Sequence, residues 1–195
     1  MARQETNTQR REDILTHAAS LFQERGFGGA TMRELAVRVG IEAASLYNHF
    51  TSKQAMLAAI CTQVAEAYMG SMAAIEANKV PFAAKVEALL RLHVQLAHRL
   101  GPAVAVAGHE FRHLSPESLE TYLKSRRAYE QHFEALLTQG MAAGEFAPHP
   151  PRLVLLTLLA AVRWVENPPR HRPQTSPEEL EQTLITLLLN GLRSC

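Results

Sequence analysis

The sequence has few cysteines, few aromatic residues and almost no excess charge. Its two cysteines, Cys61 and Cys195, are too few for a disulfide framework and lack the C-x-x-C spacing of a metal or redox motif. Twenty Lys and Arg stand against 19 Asp and Glu, so any site for a polyanion must be local. No apolar run approaches the roughly 20 residues that span a bilayer, and the N-terminus has no signal-peptide pattern. These absences predict a cytoplasmic protein without disulfides or membrane contact.

Helical spacing of apolar residues recurs along the chain, whereas the period-two alternation of β-strands is absent. We therefore predict an all-α fold of about nine helices. The first is an apolar stripe from Ile14 to Phe22 that ends near Gly26. Caps, prolines and glycines predict the others near residues 32–39, 42–49, 53–77, 81–99, 103–114, 116–143, 152–166 and 177–190. The stretch 167–176 holds three of the ten prolines and is predicted to be a loop.

The segment from Thr31 to Lys53 has the features of a helix-turn-helix. Thr31 and Glu34 have the spacing of a capping box, and Gly40 is placed to close the helix that this box opens. Two short helices joined by a glycine turn form the layout in which the second helix enters the DNA major groove. In that second helix Leu46 can face the core while small and polar residues face base edges. The helix N-terminus at Thr31 and the ammonium of Lys53 suit phosphates.

The run GATMRELAVRVGIEAASLYNHFTSKQAML, from Gly29 to Leu57, resembles the DNA-binding domain of the TetR family of bacterial repressors. The resemblance covers about residues 8–68, with the motif itself at about 31–50. It implies a three-helix DNA-binding domain over 1–53 and an effector-binding and dimerisation domain over 54–195. It further implies a homodimer that binds a palindromic operator in double-stranded DNA and is released by a small-molecule effector. No cofactor and no enzymatic activity are expected.

Individual DNA contacts follow from the same resemblance. The matching positions imply that phosphates are contacted by Thr31, Tyr47, His49 and Lys53, and that the candidates for base reading are Arg33, Glu42, Ala43 and Ser45. The polar side chain of Asn48, from its place on the same helix, can reach phosphates or bases. Residues 1–53 contain seven Lys or Arg against six Asp or Glu, so we expect affinity to depend on where charges lie rather than on bulk charge. Phe50 is expected to anchor the recognition helix to the core instead of contacting DNA.

The last two predicted helices, LVLLTLLAAVRWV and LEQTLITLLL, are apolar nearly all round. Such a pair can bury one face in its own domain and the other against a symmetry mate, which gives an isologous four-helix interface. The resemblance implies that this pair forms the homodimer interface. The alternative is that both are interior helices of a monomer.

The segment His109-Glu-Phe-Arg-His113 matches the H-E-x-x-H zinc pattern. Two histidines four residues apart share a helix face and can bind zinc while the glutamate acts as general base. Catalytic zinc needs a third protein ligand, and Glu130, His132 and Glu134 follow no recognised spacing for one. We therefore expect neither a metal nor a catalytic site, and a metal-binding protein, either a metal sensor or a metal-dependent hydrolase, is kept as the minor alternative.

A second pattern lies in the C-terminal half of the sequence. It consists of Glu110-x-Arg112-x-Leu114-x-Pro116-Glu117, Arg126-x-x-Tyr129-Glu130, Gly140, Gly144, Trp164 and Ser176-Pro177-Glu178. This pattern resembles the TetR branch that senses acyl-coenzyme A thioesters and represses genes for fatty-acid, aromatic-acid or steroid degradation. A thioester needs an apolar tunnel for its acyl group and cations for its phosphates. The predicted tunnel residues are Phe111, Tyr129, Phe133 and Trp164, and the predicted cations are Arg99, Arg112 and Arg163, assisted by His109 or His113. A regulator of a multidrug efflux pump would differ only in this pocket.

Overall fold

The computed structural model describes residues 2–166 and 176–192, and these are helical apart from short connections. The prediction of an all-α fold with nine α-helices is confirmed for these residues. The helices are α1 Ala2–Gly29, α2 Met32–Val39, α3 Ala43–Tyr47, α4 Lys53–Ala77, α5 Phe82–Leu100, α6 Pro102–His109, α7 Pro116–Ala142, α8 Pro151–Glu166 and α9 Pro177–Asn190. The predicted loop 167–176 and Cys195 lie outside the described residues, except for Ser176, which caps α9. None of the described helices is both long and apolar enough to cross a membrane.

The chain divides into two compact units, each built from separate stretches of sequence. The first contains Met1–Ala65 and Leu100–Leu123, and the second contains Glu66–Arg99 and Lys124–Cys195. The boundary between residues 53 and 54 that the TetR resemblance implied concerns function, and it stays a prediction. The two units are described one at a time below.

The break that the sequence pattern predicted near Gly26 is confirmed, because the backbone of α1 leaves helical geometry at this residue and a short second helical segment continues to Gly29. The φ of Gly26 is 70°, a backbone conformation that side-chain-bearing residues rarely adopt. A kink frees main-chain groups, and the side chains of distant residues satisfy them. The Phe27 amide donates to the carboxylate of Glu110 at 3.2 Å, and the Lys53 ammonium donates to the Phe27 carbonyl at 2.5 Å. Helix α1 also packs against α6 within this unit.

Helix α2 is closed at both ends by the caps that the sequence predicted. The Glu34 amide donates to the Thr31 hydroxyl, and the Thr31 amide donates to the Glu34 carboxylate, both at 3.2 Å. Gly40 closes the other end in the left-handed conformation, with a φ of 71°. Two predicted helix boundaries were wrong. Helix α3 is shorter than 42–49, and the predicted helix 103–114 stops at His109, where a 3-10 turn over Phe111–His113 replaces it.

The core of the second unit is formed by the inward faces of its helices. Its fully buried side chains include Leu89 and Leu90 on α5, Phe133 and Leu137 on α7, and Leu155 on α8. Arginine–carboxylate contacts lie outside this core, from Arg91 to Glu87 and Glu181 and from Arg152 to Glu130 and Glu134. The hydrogen bonds to Glu87 and Glu130 are the largest causes of the raised pKa of the Arg91 and Arg152 guanidinium groups.

Candidate DNA-binding and effector sites

Helix α3 has one buried side and one exposed side, as a recognition helix requires. Leu46 is fully buried and faces the core, and Phe50, just beyond the helix, is also buried, which confirms its predicted role as an anchor. The remaining side chains are available to a partner. Those of Glu42, Ala44, Tyr47 and Asn48 are exposed, and those of Ala43, Ser45 and His49 are half-buried.

The N-terminus of α2 adds a second exposed patch to the same unit. Arg33 and Thr31 are exposed, although the Thr31 hydroxyl is already engaged by Glu34, to which it donates at 3.0 Å. At the other end of α2, the Arg38 guanidinium forms a bidentate pair with the Glu24 carboxylate, in which one hydrogen bond is 2.8 Å long. This hydrogen bonding lowers the pKa of Glu24. Arg38 is therefore paired within the protein. The other cation of α2 is Arg33, which the TetR resemblance makes a candidate for base reading.

Lys53 has a structural role that sequence reasoning missed. Its ammonium donates to the main-chain carbonyls of Phe27 and Ala30, at 2.5 and 2.8 Å, and lies 4.4 Å from the centre of the Phe27 ring. An ammonium has three donors, and these carbonyls use two of them. The phosphate contact implied by the TetR resemblance stays a prediction for this residue. Nothing in the local sequence around Lys53 signals the contact with α1.

The predicted effector residues of the second unit fall into a buried pair and an exposed pair. Tyr129 and Phe133 are buried on successive turns of α7, with ring centres 6.3 Å apart. Arg99 and Arg163 are exposed, and within the described part of the chain no hydrogen bond or ion pair joins either of them to a carboxylate. The side chain of Trp164 lies outside the described residues.

Sequence reasoning missed one residue beside Tyr129. His93, on α5, is buried, and its Nε2 lies 3.0 Å from the Tyr129 hydroxyl oxygen. The signal was present in the sequence, because a lone histidine interrupts the apolar stripe that includes Leu90, Val94 and Leu96. Such a residue stands out when each position of a buried helix face is checked for polarity.

The predicted effector residues of the first unit lie at the end of α6. His109 and Arg112 are exposed, while Phe111 is half-buried with its ring centre 5.8 Å from that of Tyr122. The guanidinium of Arg112 lies 5.7 Å from the centre of the Phe111 ring. The assignment of these three residues to an effector site stays a prediction.

The H-E-x-x-H pattern does not lie on one helix. Helix α6 ends at His109, Glu110 is its cap, and the 3-10 turn follows, so the two histidines lack the shared α-helical face on which zinc binding depends. The Glu110 carboxylate accepts from the Phe27 amide and lies 3.5 Å from His113 Nε2, whose ring stacks on Phe27. No group of three or more His, Cys, Asp or Glu side chains that could hold a metal ion occurs in the described part of the chain.

Comparison with known proteins decides the family. Residues 79–192 match the family described as "Tetracyclin repressor-like, C-terminal domain", and residues 14–60 match "Bacterial regulatory proteins, tetR family". The first match alone covers more than half of the chain. The chain belongs to the TetR family. The resemblance identified from the sequence is confirmed, and members of this family bind operator DNA as dimers and respond to small-molecule effectors.

Named TetR-family proteins extend this finding along almost the whole chain. The HTH-type transcriptional repressor KstR2 of Rhodococcus jostii (strain RHA1) is 29% identical over 193 residues, which cover 95% of this chain and 92% of that protein. The solved structure of the ketosteroid transcriptional regulator KstR2 of Mycobacterium tuberculosis matches with a TM-score of 0.85 and 23% identity, over 95% of this chain and 96% of the other. AibR in complex with isovaleryl coenzyme A and operator DNA matches with a TM-score of 0.82 and 21% identity, over 92% and 98%. The TetR-family chain is therefore a transcriptional repressor and not an enzyme.

The role of Glu110 in this TetR-family protein is open to a direct test. We expect Glu110→Gln to leave operator binding and thermal stability close to those of the original protein, because the amide oxygen can still accept from the Phe27 amide. Glu110→Ala removes that acceptor and should cost about 1 kcal/mol of unfolding free energy. Thermal denaturation and operator binding of the two variants provide the measurement. Stoichiometric zinc in the purified protein, or equal destabilisation by Gln and Ala, would contradict this role.

Proposed function

We propose that the protein is a homodimeric repressor that an acyl-coenzyme A thioester releases from a palindromic operator. The regulated genes would serve the degradation of fatty acids or aromatic acids, and the protein would act in the cytoplasm without a cofactor. The observation that carries this proposal is that the second unit combines two exposed arginines, Arg99 and Arg163, which pair with no carboxylate of the described residues, with buried aromatic side chains. Cations and an apolar lining are the two requirements of an acyl thioester.

The DNA side of the proposal rests on the exposed face of α3 and the start of α2. Tyr47 and His49 would contact phosphates and so position the helix, whereas Arg33 and Ser45 would read base edges in the major groove. The short side chains of Ala43 and Ala44 would let the helix backbone approach the bases. A palindromic operator would match the two-fold symmetry of the dimer.

The dimer would form through α8 and α9. These helices carry large apolar side chains that the isolated chain leaves exposed, namely Leu153 and Leu156 on α8 and Leu187 on α9, with exposed fractions of 61%, 46% and 69%. The opposite faces of both helices are buried, as Leu155 and Ile185 show. Helices that are apolar on two sides fit the isologous interface that the sequence predicted. Effector binding would then shift the dimer toward a state whose two recognition helices no longer match the operator half-sites.

Two similar proteins support the proposed class of effector. AibR has been solved with isovaleryl coenzyme A, and KstR2 is described as a ketosteroid regulator. Both share the fold of this chain.

Mass spectrometry under native conditions tests the proposal, with and without a panel of acyl-coenzyme A thioesters and free hydrophobic drugs. We expect a dimer that gains one thioester per subunit. A dimer that binds a drug and ignores every thioester would leave the TetR assignment intact and overturn the effector class in favour of an efflux regulator.

The two arginines provide a sharper version of the same test. Changing both Arg99 and Arg163 to alanine should weaken thioester binding by roughly tenfold, because the phosphates would lose two exposed ionic contacts of about 0.7 kcal/mol each. Arg152→Ala is the matched control, since that arginine is already paired with Glu130 at 2.7 Å. An equal effect of the control and the double variant would remove the arginines from the proposed site.

A further inference from the structure

The second unit contains one buried polar pair within an otherwise apolar core. His93 is 6% exposed and, leaving tyrosine and cysteine aside, is the only polar or charged side chain classed as buried in residues 7–163 and 176–192. Its hydrogen-bond partner, Tyr129, is 7% exposed, and the two side chains come from different helices, α5 and α7. The neighbours of His93 along its helix face, Leu89, Leu90 and Val94, are fully buried.

Two further aromatic rings complete a cluster around this pair. The ring of Tyr68, on α4, lies 4.7 Å from that of His93 and 5.3 Å from that of Tyr129, measured between centres. Phe133 follows Tyr129 at 6.3 Å and is fully buried, whereas Tyr68 is half-buried. The cluster therefore runs from the solvent-accessible surface at Tyr68 to the apolar interior at Phe133, with the polar pair between them.

Stability alone does not favour such a pair. A buried polar group without a partner costs about 1–3 kcal/mol, and the hydrogen bond that removes this cost leaves a net gain of only about 0.5–1.5 kcal/mol. Leucine or phenylalanine would fill the same space without that cost. Local departures from good core packing are expected where a protein has a site to maintain.

Tyr122, on the same helix as Tyr129, is a tyrosine whose hydroxyl has a structural role. Its hydroxyl donates to the main-chain carbonyl of Ala107 at 2.6 Å, which fixes the direction of the hydrogen bond. The Tyr129 hydroxyl instead faces an imidazole nitrogen that can donate or accept according to the tautomer. When His93 Nε2 donates, the Tyr129 proton is directed elsewhere and can reach a ligand carbonyl. When Nε2 accepts, the Tyr129 oxygen can accept from a ligand hydroxyl.

We infer that His93 and Tyr129 form a specificity point that recognises a carbonyl or hydroxyl oxygen of the effector inside the apolar part of its site. The inference rests on the proposed function, because it places the acyl part of the effector against the aromatic cluster. The oxygen has two sources in an acyl-coenzyme A. It is either the thioester carbonyl itself or an oxo or hydroxy group carried by the acyl chain.

Matched ligands separate these sources. The probes are octanoyl-coenzyme A, its 3-oxo and 3-hydroxy derivatives, and the octyl thioether of coenzyme A, which has no thioester carbonyl. Binding of each probe to the full-length dimer is measured by calorimetry for the original protein, Tyr129→Phe and the control Tyr122→Phe. Tyr129→Phe keeps the ring and removes only the hydroxyl, so we expect a loss of about 3- to 10-fold for ligands whose oxygen is recognised.

The pattern of losses identifies the oxygen. A loss for octanoyl-coenzyme A without a loss for the thioether indicates the thioester carbonyl. A loss confined to the 3-oxo or 3-hydroxy derivative indicates the acyl substituent. Tyr122→Phe should lower thermal stability and leave the affinity ratios between probes unchanged. If Tyr129→Phe also leaves every ratio unchanged, the inference is overturned.

A second variant and a second ligand set keep the test decisive. If Tyr129→Phe does not fold, His93→Gln must change the same ratios, since it moves the donor and acceptor that orient the tyrosine.

Free 2-octanone, 1-octanol and octanoate separate this inference from the proposed function. Binding of 2-octanone or 1-octanol that depends on Tyr129, without binding of any thioester, would overturn the effector class and support the polar pair. A protein that binds none of these probes would overturn both.

Discussion

Replacing Ala44 with glutamate is expected to weaken operator binding by at least about 100-fold, because a like charge placed against phosphates in a desolvated interface costs several kcal/mol. Ala44 is exposed on α3, on the face that the proposal places in the major groove. An acidic residue in the first turn of a helix interacts favourably with the helix dipole, so the substitution should not destabilise the unit. Fluorescence anisotropy with an operator fragment at fixed salt measures the effect.

The control for this variant is the same substitution at Ala73, an exposed position on α4 in the second unit. Ala73→Glu changes the net charge equally, so it reports the general electrostatic effect on DNA affinity. We expect it to weaken binding severalfold at most. Equal losses for the two variants would show that bulk charge, and not the face of α3, determines affinity.

Replacing Leu187 with glutamate should convert the dimer into monomers and reduce operator affinity by about 100-fold or more. Leu187 is 69% exposed in the isolated chain, on the helix that the proposal places at the two-fold axis. An isologous interface contains each residue twice, so one substitution introduces two charges into the same apolar contact. A monomer then binds one half-site at a time and loses the gain of linked binding.

Sedimentation velocity across a range of protein concentrations measures the first effect, and operator titration measures the second. Val80→Glu is the matched control, since Val80 is also an exposed apolar residue but lies between α4 and α5. It should leave the dimer intact. A Leu187→Glu variant that remains dimeric would place the interface elsewhere on the protein.

The features that sequence could predict are those determined by residues close together in the chain. The bounds of α2 follow from Thr31, Glu34 and Gly40, which act within one or two helical turns. The burial of Leu46 and Phe50 follows from helical spacing and from the TetR resemblance. Helical spacing also indicates which side of α3 faces away from the core, whereas the DNA contacts of the residues on that side stay predictions.

The features that sequence could not predict depend on contacts between distant residues. The hydrogen bond from the Phe27 amide joins it to Glu110, 83 positions away, and no local pattern signals it. The pairing of His93 with Tyr129 likewise depends on how α5 packs against α7. The H-E-x-x-H pattern shows the opposite case, because its spacing is local. Zinc binding at that spacing requires one continuous α-helix, and α6 ends at His109, the first residue of the pattern.

The first unit is built from two separate stretches of sequence, so its operator specificity would not transfer to another regulator as one continuous segment. Helix α1 packs against α6, and the Phe27 amide depends on Glu110, which comes from the second stretch of that unit. A hybrid regulator that borrows only Met1–Ala65 would leave this amide without its acceptor and one side of α1 uncovered. A hybrid that also carries Leu100–Leu123 would keep both contacts. An exchange of operator specificity between regulators therefore requires both segments, and a recombination crossover between residues 65 and 100 would separate them.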